Sequence, residues 1–322
     1  MRVPLTRGTP ARRVVVVTGS PRSGTTAVGD TLAMAPDVMS LYEPLNATVG
    51  DRRVGQYFEV PGSASFPLDR AVGFTDDLLR LRLDLRPGIF KRDPAWRKVV
   101  KRFTGSRALV SYRRARLLPA PTMIWKDPFA IFWLRFLGQH LPESTSVVTY
   151  RPALAVAASF ARLSWRFQLP GLLTRLEEAG EPVPDEVARF VHDHDMRSPA
   201  LNGAATWAIV YGWYVRVGLE RSTLVDAKDL SSTEDAYRHL YARVELPFTG
   251  QVERRIAQEQ ARQATARGAD FGRRAHTKRR NLANMNSYYT GVLSEDEQQL
   301  IRAGLQDLQD EVQQQIWRPP AP

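Results

Sequence analysis

The octapeptide Gly19-Ser20-Pro21-Arg22-Ser23-Gly24-Thr25-Thr26 has the residue types and glycine spacing of an anion cradle. It follows the β-branched run Val14-Val15-Val16-Val17 and precedes a helix-forming stretch. A strand, a glycine-bounded turn and a helix in that order aim backbone N–H groups and a helix N-terminus at a negatively charged ligand. The nucleoside-triphosphate version of such a loop reads G-x-x-x-x-G-K-[ST]. Gly19 and Gly24 keep that spacing, but Thr25 stands where the lysine belongs, and the cation is Arg22 instead. A lysine after the second glycine reaches β- and γ-phosphates, and the hydroxyl after it holds magnesium. Its absence disfavours triphosphate chemistry. The remaining alternative is a surface loop that only caps a helix.

Other groups sit where chemistry is plausible. Lys126 ends the strand-forming run Thr122 to Trp125, and open parallel sheets gather ligands at such strand ends. It is a candidate, with Arg22, for stabilising developing charge; a salt bridge to Asp127 is the alternative. His140 falls at the far end of a predicted helix. His192-Asp193-His194-Asp195 has metal-ligand residue types, but no second cluster lies near it in sequence. A solvated loop is the better reading, and no metal is expected.

These residues must be positioned by a regular alternation of elements. Short apolar runs predict strands over Val14–Val17, Val38–Tyr42, Thr122–Trp125, Ser146–Tyr150 and Thr223–Asp226. Helices are expected over Ala27–Ala35, Phe129–Gln139, Pro152–Arg166, Asn202–Leu219, Glu234–Arg243, Gln251–Arg267 and Ser294–Gln315. Alternating strands and helices imply an α/β fold, a parallel sheet with helices on both faces. The aromatics from Trp207 to Tyr214 read as core, with room for one of them to line a sugar or aryl pocket. Residues 46–118, Arg-rich with scattered Gly and Pro, read as an irregular insertion with short helices. Residues 168–200, with Pro170, Pro182, Pro184 and an acidic run, read as a loop or lid. One domain over 1–322, with a basic tail at 1–12 and these two insertions, is the expected organisation.

Composition narrows the partners. The chain has 322 residues and a formal net charge of +11, which favours an anionic ligand, an anionic acceptor or contact with an acidic surface. The basic residues are scattered and carry no finger, homeodomain or RNA-binding signature, so no specific nucleic acid is expected. There is no cysteine, which excludes disulfides, thiolate metal sites and cysteine nucleophiles and fits a reducing, cytoplasmic setting. No stretch approaches the roughly 20 apolar residues of a membrane span.

The pattern Ser20-Pro21-Arg22-Ser23-Gly24-Thr25-Thr26 resembles the phosphosulfate loop of sulfotransferases that use 3′-phosphoadenosine 5′-phosphosulfate (PAPS), where a Lys or Arg stands at the Arg22 position. The resemblance implies a P-loop-type three-layer fold, a central parallel sheet flanked by helices, with helical and loop insertions. It implies that Arg22, Ser23, Gly24, Thr25 and Thr26 hold the 5′-phosphosulfate. In that family an arginine at a strand end and a serine eight positions later hold the 3′-phosphate; here these are Arg151 and Ser159. Pro152 suits a first helical position, and seven steps of about 100° bring Ser159 nearly back to its face. Arg151 and Ser159 can then point to one pocket. By a looser resemblance Lys278, Arg279 and Arg280 reach the same phosphate, a solvated charge run being the equal alternative.

Tyr42-Glu43-Pro44 is similar to the Glu-Pro element of carbohydrate sulfotransferases, which makes Glu43 the leading general base and Asp127 the second. Small-molecule members use a histidine in a Lys-Thr-His setting; Lys126-Asp127-Pro128 stands here instead. The implied enzyme passes a sulfuryl group in line from PAPS to a hydroxyl of a carbohydrate, glycolipid or small molecule. Arg22 and Lys126 would stabilise charge, Glu43 would take the proton, and no metal would be required. Two other classes stay open: an atypical P-loop kinase and a non-catalytic polyanion-binding protein.

Overall fold

The valines of the first strand decide the layering. In the computed structural model, which describes residues 11–88, 105–232, 234–264, 286 and 288–319, β1 spans Arg13–Gly19. Val14 and Val16 enter one buried cluster, and Val15 and Val17 enter a second. A strand buried on both faces needs helices over both. Four more strands, β2 (Val38–Tyr42), β3 (Thr122–Lys126), β4 (Thr145–Tyr150) and β5 (Ser222–Asp226), complete a sheet of order β2-β3-β1-β4-β5. Every pairing is parallel. Val17 pairs with Lys126, Tyr42 with Lys126, Gly19 with Thr149 and Tyr150 with Asp226. All five carboxyl ends therefore meet at one edge. The expected three-layer α/β fold is what the chain adopts.

The helices, in chain order, are α1 (Thr25–Leu32), α2 (Leu68–Leu79), α3 (Arg107–Leu117), α4 (Leu134–His140), α5 (Ala153–Leu163), α6 (Leu169–Glu178) and α7 (Asp185–Asp193). They are followed by α8 (Pro199–Val217), α9 (Ala227–Ser232), α10 (Glu234–Arg243), α11 (Gly250–Ala264) and α12 (Glu295–Gln314). Helices α1, α9, α10 and α11 bury side chains in the cluster of Val15 and Val17. The others that contribute core residues, α8 and α5 foremost, pack on the opposite face.

The first insertion carries the helices expected of it, and α2 and α3 bury Phe74 and Tyr112 in the main core. There Phe66 and Phe74 pack at 5.2 and 5.1 Å from the Trp133 ring. Two expectations need correction. Residues 168–200 are not an irregular loop, because two of their prolines begin helices. Pro170 lies in the first turn of α6, and Pro184 is the residue before α7. A proline there forfeits no helical hydrogen bond. The stretch predicted as a helix from Phe129 opens as a 3-10 turn, Pro128–Trp133, before α4. Asp127 starts that turn by accepting the Phe129 N–H.

Candidate functional site

The loop after β1 is built by contacts that leave no room for larger residues. Gly19 has φ +136°, and a Cβ there would lie 2.4 Å from the carbonyl oxygen of Thr149 on the neighbouring strand. Gly24, at φ +108°, would meet the Ala227 Cβ at 2.6 Å. Between them the Ser23 N–H donates to Ser20 O at 3.0 Å, closing a tight turn. Gly24 precedes α1 without a side-chain cap, so the first-turn amides of that helix point into the loop. Beneath it the Ser23 and Thr149 hydroxyls meet at 2.7 Å. The Tyr211 hydroxyl donates to Thr149 O at 2.6 Å and accepts the Ser20 N–H at 3.4 Å. Burial pushes the Tyr211 phenol up, which keeps it a proton donor. Gly19→Ala is expected to cost about 1–3 kcal/mol through overpacking and a strained φ. A thermal melt and a nucleotide titration on the same sample would read the lost stability and the lost loop together.

On one side of this loop lie the cations. Arg22 adopts φ +78°, a left-handed conformation that costs a non-glycine residue on the order of 1 kcal/mol or more. That conformation turns its side chain toward α5, where Nε donates to Ser159 Oγ at 2.8 Å. Its guanidinium also lies 5.7 Å from the Trp165 ring. Arg151, just past β4 and 3% exposed, donates from Nη1 to the Arg22 carbonyl at 3.3 Å. Its Nε donates to Asn286 Oδ1 at 3.4 Å, its guanidinium lies 5.3 Å from the Tyr288 ring, and the Trp207 Nε1–H holds its carbonyl at 2.8 Å. Arg22, Arg151 and Ser159 thus form one connected group.

On the other side lie a carboxylate and an ammonium. Lys126, 1% exposed, pairs with Glu43 Oε1, and its Nζ sits 4.5 Å from the Tyr42 ring. It reaches Glu43 rather than Asp127. The other Glu43 oxygen accepts from Asn46 Nδ2 at 2.8 Å. Glu43 is itself at φ +47°, and its side chain is 26% exposed, enough to meet a ligand. Asp127 is fully buried: Oδ2 accepts the Leu45 N–H at 2.6 Å and Oδ1 accepts the Phe129 N–H at 2.9 Å. Burial first, then the Glu43 charge, push its carboxyl up to about 7, against the pull of those two amides and Lys126. With both oxygens turned to backbone, Asp127 pins the Glu43-Pro44-Leu45 turn and offers nothing to an acceptor. The Tyr42 hydroxyl donates to Asp30 Oδ1, and Arg107 lies 4.2 Å over the same ring.

The sheet order explains the separation. β1 is central, with β3 and β2 carrying Lys126 and Glu43 to its one side and β4 carrying Arg151 to the other. Ligands of open α/β sheets bind at such a reversal of strand order. Lys278, Arg279 and Arg280 lie outside the described residues. His140 is the last residue of α4, stacked 4.1 Å from Phe136, before the start of β4 and so at the opposite edge. The His192 ring, 90% exposed, pairs with its neighbour Asp193, while Asp195 pairs with Arg197. Among the described residues no group of three or more His, Asp or Glu is arranged to hold a metal. Thr149, Tyr211 and Trp207 are supporting residues that pattern reading assigned to strand and core; a threonine next to the end of a valine-rich strand was the one available signal.

The profile of the sulfotransferase family matches residues 14–198, more than half of the chain and all of this loop, the Glu43–Lys126 pair, Arg151 and Ser159. No curated protein matches. Two solved structures align over most of the chain. The sulfotransferase domain from the curacin biosynthetic pathway is 12% identical, over 95% of this chain and 99% of that one, with a TM-score of 0.41. Sulfotransferase STF9 from Mycobacterium avium is 16% identical, over 92% of this chain and 76% of that one, with a TM-score of 0.39. Likenesses this distant bear no weight on the site. The family match over the segment that builds the loop and both its flanks is decisive: the chain belongs to the sulfotransferase family.

Proposed function

We propose that this sulfotransferase takes its sulfuryl group from PAPS and passes it to a hydroxyl of a carbohydrate or glycolipid. The observation that carries the reading is the linked group of Arg22, Ser159 and Arg151 beside a loop too tight for any side chain at Gly19. A donor with a phosphosulfate and a separate ribose phosphate needs two neighbouring anion sites. The loop amides, Ser23, Thr25 and Thr26 suit the first, and Arg151 with Ser159 suits the second.

In the transfer, the bond from sulfur to the donor phosphate oxygen breaks, a bond to the acceptor oxygen forms, and the hydroxyl proton must leave. Glu43 is the base for that proton. Lys126 holds the carboxylate in place through its ion pair and, with Arg22, offers positive charge beside the reacting group. Sulfuryl oxygens carry less charge than phosphoryl oxygens, so side-chain cations can serve without a metal ion.

Titration with adenosine 3′,5′-bisphosphate and, separately, with ATP and magnesium tests the donor. Tight binding of the bisphosphate supports the reading; tight ATP binding indifferent to a 3′-phosphate would sink it in favour of a kinase. Radiolabelled donor incubated with fractionated glycans, lipids and phenols identifies the acceptor. Arg151→Ala is expected to raise the donor KM about 10- to 100-fold, the loss of one charge-assisted phosphate contact, with a smaller change in kcat. An equal fall in kcat with KM unmoved would place Arg151 at the reacting centre instead.

A further inference from the structure

Helix α3 lies against the sheet edge, with Ser111 Oγ accepting the Tyr42 N–H at 3.1 Å. Its inner face is Ala108, Tyr112 and Ala115, one residue per turn. The opposite face holds Val110, Arg113, Arg114 and Leu117, all exposed, and Leu118 follows at the helix end. Leu117 is 80% exposed, Leu118 66% and Val110 47%, half of the large apolar residues that stand in solvent among those described. No acidic residue occurs from 105 to 121, while Arg107, Arg113, Arg114 and Arg116 do. Arg107 is engaged by Asp30 at 2.9 Å, and Arg114 and Arg116 stand exposed beside the leucines. The inner face of the helix is anchored, with the Tyr112 hydroxyl donating to Leu81 O at 2.5 Å.

We propose that this face of α3 docks the enzyme on an anionic lipid bilayer. Leucines at a helix end flanked by arginines match the two demands of such a surface: apolar side chains for the acyl boundary and positive charge for the headgroups. A polysaccharide or nucleic acid would use the arginines and leave Leu117 and Leu118 in water. A second copy of this chain would bring the same arginines face to face. The helix also ties this surface to the site, since Arg107 at its start stacks on Tyr42, the neighbour of Glu43. The docking goes beyond the transfer reading and holds whatever the donor and acceptor are.

The test is cosedimentation of the full chain with vesicles of phosphatidylcholine alone or with phosphatidylglycerol added. Binding is expected to need the anionic lipid and to fall as salt rises. Leu117→Ser with Leu118→Ser should weaken it about tenfold or more, and Arg114→Gln with Arg116→Gln should do the same. All four side chains are exposed, so an unchanged melting temperature will show that the fold is intact. Vesicle binding untouched by the leucine changes, as plain polyanion attraction would give, overturns the proposal. So does a dimer that dissociates in the leucine variant.

Discussion

Arg22→Ala is expected to lower kcat/KM for sulfate transfer by about a thousandfold or more, the range seen when a charge-stabilising arginine leaves a group-transfer site. Arg22 lies at the centre of the linked group: its side chain reaches Ser159 and its carbonyl receives Arg151. Removing the guanidinium therefore weakens both anion sites. Lysine keeps a charge but not the planar fork, so Arg22→Lys should recover only part of the rate. The backbone provides a control for mere structural damage. At φ +78° the arginine is strained, and glycine is not. Arg22→Gly should melt at or above the wild-type temperature while losing transfer as fully as alanine. Transfer within tenfold of wild type in Arg22→Ala, followed with radiolabelled donor, would remove Arg22 from the chemistry.

What the sequence disclosed and what it hid follow from the range of the interactions. Val14 to Val17 announced a doubly buried strand because four adjacent β-branched residues have few other stable uses. The loop at Gly19 to Gly24 was legible for a similar reason: its glycine spacing and hydroxyls are local. Arg151 and Ser159, eight residues apart, were singled out by the family resemblance, helix geometry showing only that both can face one pocket. The partner of Lys126 was not legible, since Glu43 lies just past another strand, 83 residues away, and Asp127 is adjacent. The same holds for Tyr211, which meets Thr149 from α8, on the face opposite α1. Pro170 and Pro184 misled because a proline marks a helix start as readily as a loop, and only the packed faces of α6 and α7 decide between them.

Glu43→Gln is expected to slow transfer about 10²- to 10⁴-fold, the usual worth of a positioned base, with affinity for adenosine 3′,5′-bisphosphate nearly unchanged. Glutamine is the informative replacement. It keeps an oxygen for Lys126, which is 1% exposed and would otherwise be left as a buried lone cation at a cost of about 3–5 kcal/mol. The rival carboxyl is Asp127, and pH separates the two. Asp127 sits near 7 rather than the ordinary 3.8, chiefly through burial and then through the Glu43 charge. Between those values the folded chain holds a proton that the unfolded chain has released. Its contribution to stability is therefore present at low pH and is lost as pH rises through about 7. Glu43→Gln removes the second cause, so this loss should become smaller in the variant. If Asp127 were the base, Glu43→Gln would retain most of the rate, and the activity would rise with pH near 7 until Asp127→Asn abolished it. With Glu43 as the base, Asp127→Asn still disturbs the site, because its amide cannot accept both the Leu45 and Phe129 N–H groups. That variant should lose about 1–3 kcal/mol of stability while keeping the wild-type pH dependence of its residual rate.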